Sequence, residues 1–247
     1  MTQPLLEWQA GTVTAIRPET RQTKSFTLAL PKWMAHRAGM HYDVRLTAPD
    51  GYQTERSYSV ASAPERVGTI ELTVERIADG EVSPYLHDVV VTGDQIEVRG
   101  PIGGYFVWDV ALGGPLLLVG GGSGVVPLMA MLRHRAAERA TIPARLLYSS
   151  RTQDDVIYRD ELDALAAGDR GFEAFFTFTR QAPPGWTGYQ RRIDPTMLGE
   201  VIKPFGAKAR AYVCGPTLLV ESVASALAQT GLPIEQIRTE RFGPTGV

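Results

Sequence analysis

Residues 115–127 read Pro115-Leu-Leu-Leu-Val-Gly-Gly-Gly-Ser-Gly-Val-Val-Pro127, an apolar run that enters a glycine loop and then the helical pattern VVPLMAMLRHRAAER. A short apolar run bounded by glycine predicts a buried strand. Glycines permit tight turning and close backbone approach, and a helix N-terminus offers free N–H groups and the positive end of its dipole. The stretch therefore predicts a strand–loop–helix unit able to receive a dinucleotide pyrophosphate. Its glycine spacing is not G-x-G-x-x-G, no acid stands where that motif puts one, and a plain strand-to-helix turn has the same local signature.

Working outward, the pattern repeats. ARLLYSSR leads into DDVIYRDELDALAAG, and ARAYVCG into PTLLVESVASALAQTG, with Gly231 and Pro233 punctuating the helix end and IRTERF as a final strand. Strands alternating with helices predict a parallel sheet with crossover connections. Upstream the character changes. GTVTAIRPE, SFTLAL, HYDVRLTAPDG, RSYSVASAP, TIELTVERI and QIEVRGPIGGYF are short strand-like runs divided by turn residues, as in an antiparallel sandwich or barrel. The expected division falls at the short ALGG turn, Ala111–Gly114, giving units of 1–111 and 112–247.

The 247 residues suffice for one large domain or two of ordinary size, and 44% hydrophobic with 21% charged content is that of a soluble globular protein. A net charge of −2 gives no global pull toward nucleic acid or anionic membrane. No apolar run approaches a membrane span, and the opening MTQPLLEWQAGTV lacks the basic and apolar regions of a signal peptide. A cytoplasmic location is expected. The single cysteine, Cys214, excludes an internal disulfide and any cysteine-only metal or iron–sulfur centre within these residues. His36, His41, His87 and His134 show no ligand spacing, so no metal site is expected.

Four further features carry chemistry. In Arg56-Ser57-Tyr58-Ser59 strand alternation puts Arg56 and Tyr58 on one side and the two serines on the other, a pairing suited to a ligand with both a phosphate and a flat ring. In GEVSPYLHD, Ser83 is expected as an N-cap and Pro84 at the first helical position, with Gly80 allowing close approach upstream. Cys214-Gly215-Pro216 ends a buried-looking strand where parallel sheets place ligands; without a visible base partner, Cys214 is not read as a covalent nucleophile. Arg151, Arg180 and the Arg191-Arg192 pair border strand-like runs, and their fork geometry matches a phosphate dianion.

Taken in order, R-x-Y-S, G-x-V-S, G-P-x-G-x-F, G-G-G-S-G and C-G-P resemble the ferredoxin–NADP reductase family of flavoproteins, from about Trp8 to Phe242. The resemblance implies an N-terminal flavin-binding barrel and a C-terminal nicotinamide-nucleotide domain. It implies that Arg56 contacts the flavin phosphates, that Tyr58 lies against the isoalloxazine with Ser57 beside it, and that Ser59 bonds near the hydride-accepting nitrogen. Val74, Arg76, Gly80, Val82 and Ser83 become FAD-binding positions, favouring FAD over FMN. Gly121, Gly122, Ser123 and Gly124 match the loop approached by the nicotinamide nucleotide. Cys214, with Gly215 and Pro216, matches the position beside the nicotinamide ring. Arg151, Thr179, Arg180 and Arg192 resemble 2′-phosphate positions, which favours NADPH. Two departures stand out. The chain ends FGPTGV, leaving Phe242 as the nearest aromatic for the flavin, and Glu240 is the nearest match to the family's C-terminal glutamate.

The expected reaction is hydride transfer from NADPH to bound FAD, followed by one-electron release to a separate ferredoxin, flavodoxin or oxygenase component, since one cysteine cannot hold a fused [2Fe–2S] module. Ser59 and Cys214 serve geometry there and not strong acid–base work. Residues 1–40 carry Arg17, Arg21, Lys24, Lys32 and Arg37 against Glu7 and Glu19, a surplus that would steer an acidic partner. Two other classes stay open: a reductase of diffusible acceptors such as ferric chelates or free flavin, and a non-catalytic flavin-binding regulatory module.

Overall fold

The computed structural model describes residues 6–243. Of the FGPTGV ending, Pro244–Val247 lie outside the described residues. Six strands, β1 (Gln9–Thr20), β2 (Thr23–Ala29), β3 (His41–Thr47), β4 (Gln53–Ser59), β5 (Thr69–Glu75) and β6 (Gln95–Ile102), form one antiparallel sheet in the order β4-β3-β6-β1-β2-β5. All six runs singled out in the sequence are strands. The sheet curls toward closure where Val60 bridges Leu72 and the Ala61 N–H donates to the Glu71 carbonyl (2.7 Å). Alternation explains the core: Ile70, Leu72 and Val74 of β5 point inward with Phe26, Leu28, Val44 and Val98. The opposite face of β5 carries Glu71 and Thr73, which are buried as well. A strand with one apolar and one polar face is buried on both sides only where something polar covers the second. Here the rest of the chain does so.

After β5 comes a short helix, α1 (Val82–Asp88). Beyond the antiparallel sheet the strands β7 (Leu116–Gly121), β8 (Ala144–Thr152), β9 (Phe172–Gln181), β10 (Arg210–Pro216) and β11 (Ile237–Phe242) form a parallel sheet ordered β11-β10-β7-β8-β9. Period-2 alternation in β7 sends Leu116 and Leu118 toward helices α2 (Val125–Ala137) and α3 (Arg159–Gly168). It sends Leu117 and Val119 toward α4 (Pro195–Ile202) and α5 (Thr217–Gln229). Such a strand, buried on both faces, reads as continuous apolar sequence. Helix α4 was not expected from the sequence. It starts at a capped Asp194, whose carboxylate accepts the Met197 N–H (2.8 Å), with Pro195 at its first position. The strand order runs outward from β7 through β8 and β9, then resumes at β10 on the other side of β7. The crevice between β7 and β10 is therefore the topological switch point, where such sheets bind ligands at strand carboxyl ends.

The two sheets meet through a polar seam on the outer face of β5. Arg133 of α2 donates to the Ala61 carbonyl (2.8 Å), pairs with Glu71 (2.6 Å), and holds Glu161 of α3 (2.6 Å). Its guanidinium lies 4.9 Å from the centre of the Tyr158 ring. The Tyr158 hydroxyl in turn donates to Thr73, and the Tyr212 hydroxyl to the Val107 carbonyl (2.8 Å).

Candidate active site at the switch crevice

The glycine loop follows β7 as a single 3-10 turn, Gly122–Gly124, leading directly into α2. Gly122 has φ +55°, which glycine adopts without strain. At Gly124 the reason is space: a Cβ there would stand 2.1 Å from the Cys214 carbonyl oxygen. Only glycine lets this loop lie against the end of β10. The Gly122 carbonyl accepts the Tyr148 hydroxyl (3.0 Å), and the Ser123 hydroxyl donates to Glu75 of β5 (2.7 Å). The loop is thereby fixed both to its own sheet and to the barrel.

Cys214 lies buried two residues before the end of β10, beside β11, where its register partner is Glu240. Its thiol faces the Glu240 carboxylate at 3.9 Å. The sequence offered no partner for Cys214, and the structure corrects that, because parallel register joins residues 26 positions apart. The correction does not make the cysteine a nucleophile. Burial first, and the adjacent carboxylate second, push its thiol well above the ordinary range. Burial also lifts Glu240 to about 7. The pair is a neutral thiol beside a carboxyl that titrates near neutrality.

On the barrel side, β4 pairs Tyr58 with Tyr42, Ser57 with Asp43 and Arg56 with Val44. The half-buried Tyr58 packs at the edge of the barrel core, and burial raises its phenol to about 12, so it stays neutral. Arg56 is exposed, donates to the Glu55 carbonyl (2.6 Å), and has no ion-pair partner among the described residues. Ser57 donates to Asp43 (2.7 Å), which also holds Arg99 (2.8 Å). Ser59 pairs with His41 and makes no hydrogen bond to Cys214 or Glu240 among the described residues.

The turn after β5 differs from expectation. Helix α1 begins at Val82, with Glu81 in the capping position and no side-chain cap. Ser83 lies inside the first turn and is therefore not the N-cap. Its hydroxyl instead accepts the Ile77 N–H (3.0 Å), closing the loop that holds Gly80. Glu81 is drawn across to β4, accepting from Thr54 (2.9 Å) and Tyr52 (3.1 Å). Arg76 is engaged by Asp88 (2.8 Å), and the Val74 side chain lies in the barrel core, while Arg56, Ser57 and Ile77, Ala78 and Asp79 of the following loop are exposed.

Arg151, Thr179, Arg180 and Arg192 gather at the carboxyl ends of β8 and β9. Thr179 donates to the Ser150 carbonyl (3.3 Å), and Thr177 joins the Arg191 carbonyl, which brings the 189–192 segment alongside β9. Arg191 is taken up by Asp194, and Asp155 accepts Thr152 (2.7 Å). Arg151, Arg180 and Arg192 are exposed and form no ion pair among the described residues. Gly215 is buried, Pro216 is exposed, and Phe242, register partner of Pro216, is half-buried against the core under α2 and α3.

Lys32 pairs with Glu7 (2.7 Å) and Arg17 with Glu19 (2.8 Å), the two acids already set against the early cations, so the surplus of Arg21, Lys24 and Arg37 stands, with Lys24 donating to the His87 carbonyl (2.7 Å). One expectation is revised. One histidine does stand in a cluster: the ligand atoms of Glu65, His134 and Glu138 lie within 4.8 Å of one another. His134 Nδ1 faces Glu65 at 2.5 Å and Nε2 accepts the Val110 N–H (3.3 Å), so both ring nitrogens are already used in joining the two sheets. The sequence also missed Glu75, Tyr148 and Tyr158. Glu75 sits between two expected positions, but the tyrosines gave no signal beyond apolar patterning.

The residues present fit a flavin dinucleotide and a nicotinamide nucleotide. Arg56 leaves a cation free, Tyr58 presents a neutral ring, and Gly122 presents bare backbone whose nearest neighbour to a Cβ would be the Glu75 carboxylate at 3.9 Å, while Gly124 lets the loop close onto β10. Fold and site define an oxidoreductase class with separate flavin and nucleotide units. In agreement, an oxidoreductase FAD-binding domain model matches residues 10–107 and an oxidoreductase NAD-binding domain model residues 118–225. Ferredoxin–NADP reductase B of Sorangium cellulosum is 33% identical over 234 residues, covering 92% of this chain and 95% of that protein. The chain belongs to the ferredoxin–NADP reductase family. The glycine betaine monooxygenase reductase subunit of Chromohalobacter salexigens is 31% identical over 198 residues, covering 79% of this chain; the match spans 53% of that relative's length. The FAD/NAD-binding domain of a Vibrio cholerae nitric oxide dioxygenase superposes with TM-score 0.85 at 24% identity, over 96% of this chain and 99% of that one.

Proposed function

We propose that this protein is an NADPH-dependent flavoprotein reductase that passes single electrons to a separate ferredoxin, flavodoxin or oxygenase component in the cytoplasm. The observation that carries the reading is the bond from Ser123 of the glycine loop to Glu75 of the barrel (2.7 Å), which joins the two half-sites across one crevice. Residues 1–111 form the FAD unit and 112–247 the nucleotide unit. Bound FAD supplies the conversion between two-electron and one-electron chemistry.

The chain's own residues bind and orient. Arg56, with the backbone of residues 80–83, would hold the flavin phosphates, and Tyr58, Ser57 and Ser59 would orient the ring. The backbone of Val74 near the end of β5, and Arg76 just beyond it, frame that wall. Gly121, Gly122 and Gly124 admit the nucleotide backbone, and Gly215 and Pro216 bound the nicotinamide position. Cys214 contributes a compact neutral thiol, and Glu240 holds or releases a proton beside it at neutral pH. Arg151, Thr179, Arg180 and Arg192 receive the 2′-phosphate, which supports NADPH over NADH. Phe242 borders the same crevice. The names of the relatives, a ferredoxin–NADP reductase and a monooxygenase reductase subunit, support a protein acceptor.

The test is an acceptor assay on purified protein. It should be yellow, release FAD, and reduce cytochrome c rapidly with NADPH only when a ferredoxin is added. Equal rates with ferric chelate or free flavin and no ferredoxin would make it a diffusible-acceptor reductase.

A further inference from the structure

Tyr158 occupies the position preceding α3 with φ +59° and ψ +27°, a left-handed conformation that costs a bulky residue free energy. The ring is 3% exposed, beneath the Arg133 guanidinium. A strained backbone persists only where its surroundings over-determine it. Here they do so at both ends. The Tyr158 hydroxyl donates to Thr73 of β5. Thr73 meets Ser25 (2.7 Å), and Ser25 donates to the Glu19 carboxylate (2.6 Å). Because a carboxylate only accepts, the chain has one direction: Tyr158 to Thr73 to Ser25 to Glu19.

On the other side the preceding residue, Ile157, donates its N–H to the Tyr148 hydroxyl (3.3 Å), and Tyr148 donates to the Gly122 carbonyl (3.0 Å). Gly122 also accepts the Val125 N–H that starts α2. Three hydrogen bonds and the Ile157–Tyr158 peptide link thus join β5 of the barrel to the glycine loop through Tyr158, Ile157 and Tyr148. The path returns to β5 two residues later through Ser123 and Glu75.

We infer that Tyr158 and Tyr148 are positioning residues, a rigid relay that sets the height of the glycine loop over the barrel and so the approach of nicotinamide to flavin. The geometric part concerns this chain alone; its consequence for hydride transfer rests on the proposed reductase function. Neither tyrosine touches the nucleotide loop with a charged group, so the relay acts on rate more than on affinity.

The experiment uses the full chain. Amide hydrogen exchange is followed at Gly122–Val125 and in α5, in wild type and in Tyr158→Phe, Thr73→Val and Thr73→Ser. Hydride transfer is then read by anaerobic stopped-flow with NADPH, and NADPH affinity and melting temperature are measured in parallel. The relay predicts exchange at Gly122–Val125 faster by roughly fivefold in Tyr158→Phe and Thr73→Val, near wild type in Thr73→Ser, and unchanged in α5. It predicts flavin reduction slowed by roughly tenfold or more, with NADPH affinity within about twofold of wild type. Wild-type loop exchange in Tyr158→Phe would overturn the relay whatever the activity. So would equal acceleration in the loop and in α5, the sign of general destabilisation. A wild-type protein whose flavin NADPH does not reduce would instead overturn the reductase reading, while the exchange result still decides the relay.

Discussion

Cys214 and Glu240 lie side by side on β10 and β11 at the crevice. A carboxyl raised by burial binds its proton more tightly in the folded state than in the unfolded chain. Its contribution to stability is therefore present below the unfolded value near 4.5 and is lost as pH rises through about 7. At about 1.4 kcal/mol per pKa unit, the loss is a few kcal/mol at most. Urea titrations at pH 5 and pH 8 should show lower stability at pH 8, and Glu240→Gln should remove most of the difference. An unchanged difference in that variant would place the titration elsewhere. Two arginine predictions belong at the same scale. Arg56→Ala should lower the flavin content of purified protein; full flavin content would remove Arg56 from that role. Arg180→Ala and Arg192→Ala should each raise the KM for NADPH roughly tenfold or more, the scale of a lost charge-assisted bond, and leave that for NADH nearly unchanged. Equal effects on both nucleotides would refute the 2′-phosphate assignment.

Among the elements, the glycine loop and β10 constrain one another most tightly. Gly124→Ala puts a methyl 2.1 Å from a backbone carbonyl that cannot move without shifting β10. The variant should keep its FAD, since the barrel is untouched, yet lose rapid reduction by NADPH. Flavin absorbance before and after NADPH reads both. Reduction at the wild-type rate would mean that the loop and strand end do not need this contact. The elements were legible to different degrees for physical reasons. Every strand of the barrel and β7, β8, β10 and β11 could be read from period-2 or continuous apolar runs closed by glycine and proline. Helix α4 escaped because it spans only Pro195–Ile202, and its start signal, Asp194-Pro195, was overshadowed by the neighbouring arginines. Ser83 was misplaced because a serine before proline satisfies the N-cap rule locally. Folding gives its hydroxyl a better task, accepting the Ile77 N–H in a loop that the Gly80 N–H also closes onto the Ile77 carbonyl (3.1 Å).

For the molecule as a whole, what the sequence could not disclose is pairing at a distance. Cys214 with Glu240, Ser123 with Glu75, Tyr158 with Thr73 and Arg133 with Glu71 each join residues from separate strands or separate units. Local patterning carries no record of such partners. The motifs did disclose the family, because glycines such as Gly122 and Gly124 are fixed by a turn or a close backbone approach that local sequence records. The same seam on β5 that hides its polar face also ties the glycine loop to the barrel, so under the proposed function fold and reaction would depend on one set of contacts. Anaerobic mixing of the purified protein with a slight excess of NADPH, followed at the flavin absorbance band, tests this account most directly. Rapid and complete bleaching of bound FAD, much faster with NADPH than with NADH, is the predicted result. A protein that binds FAD but whose flavin stays oxidised in the presence of NADPH would contradict it.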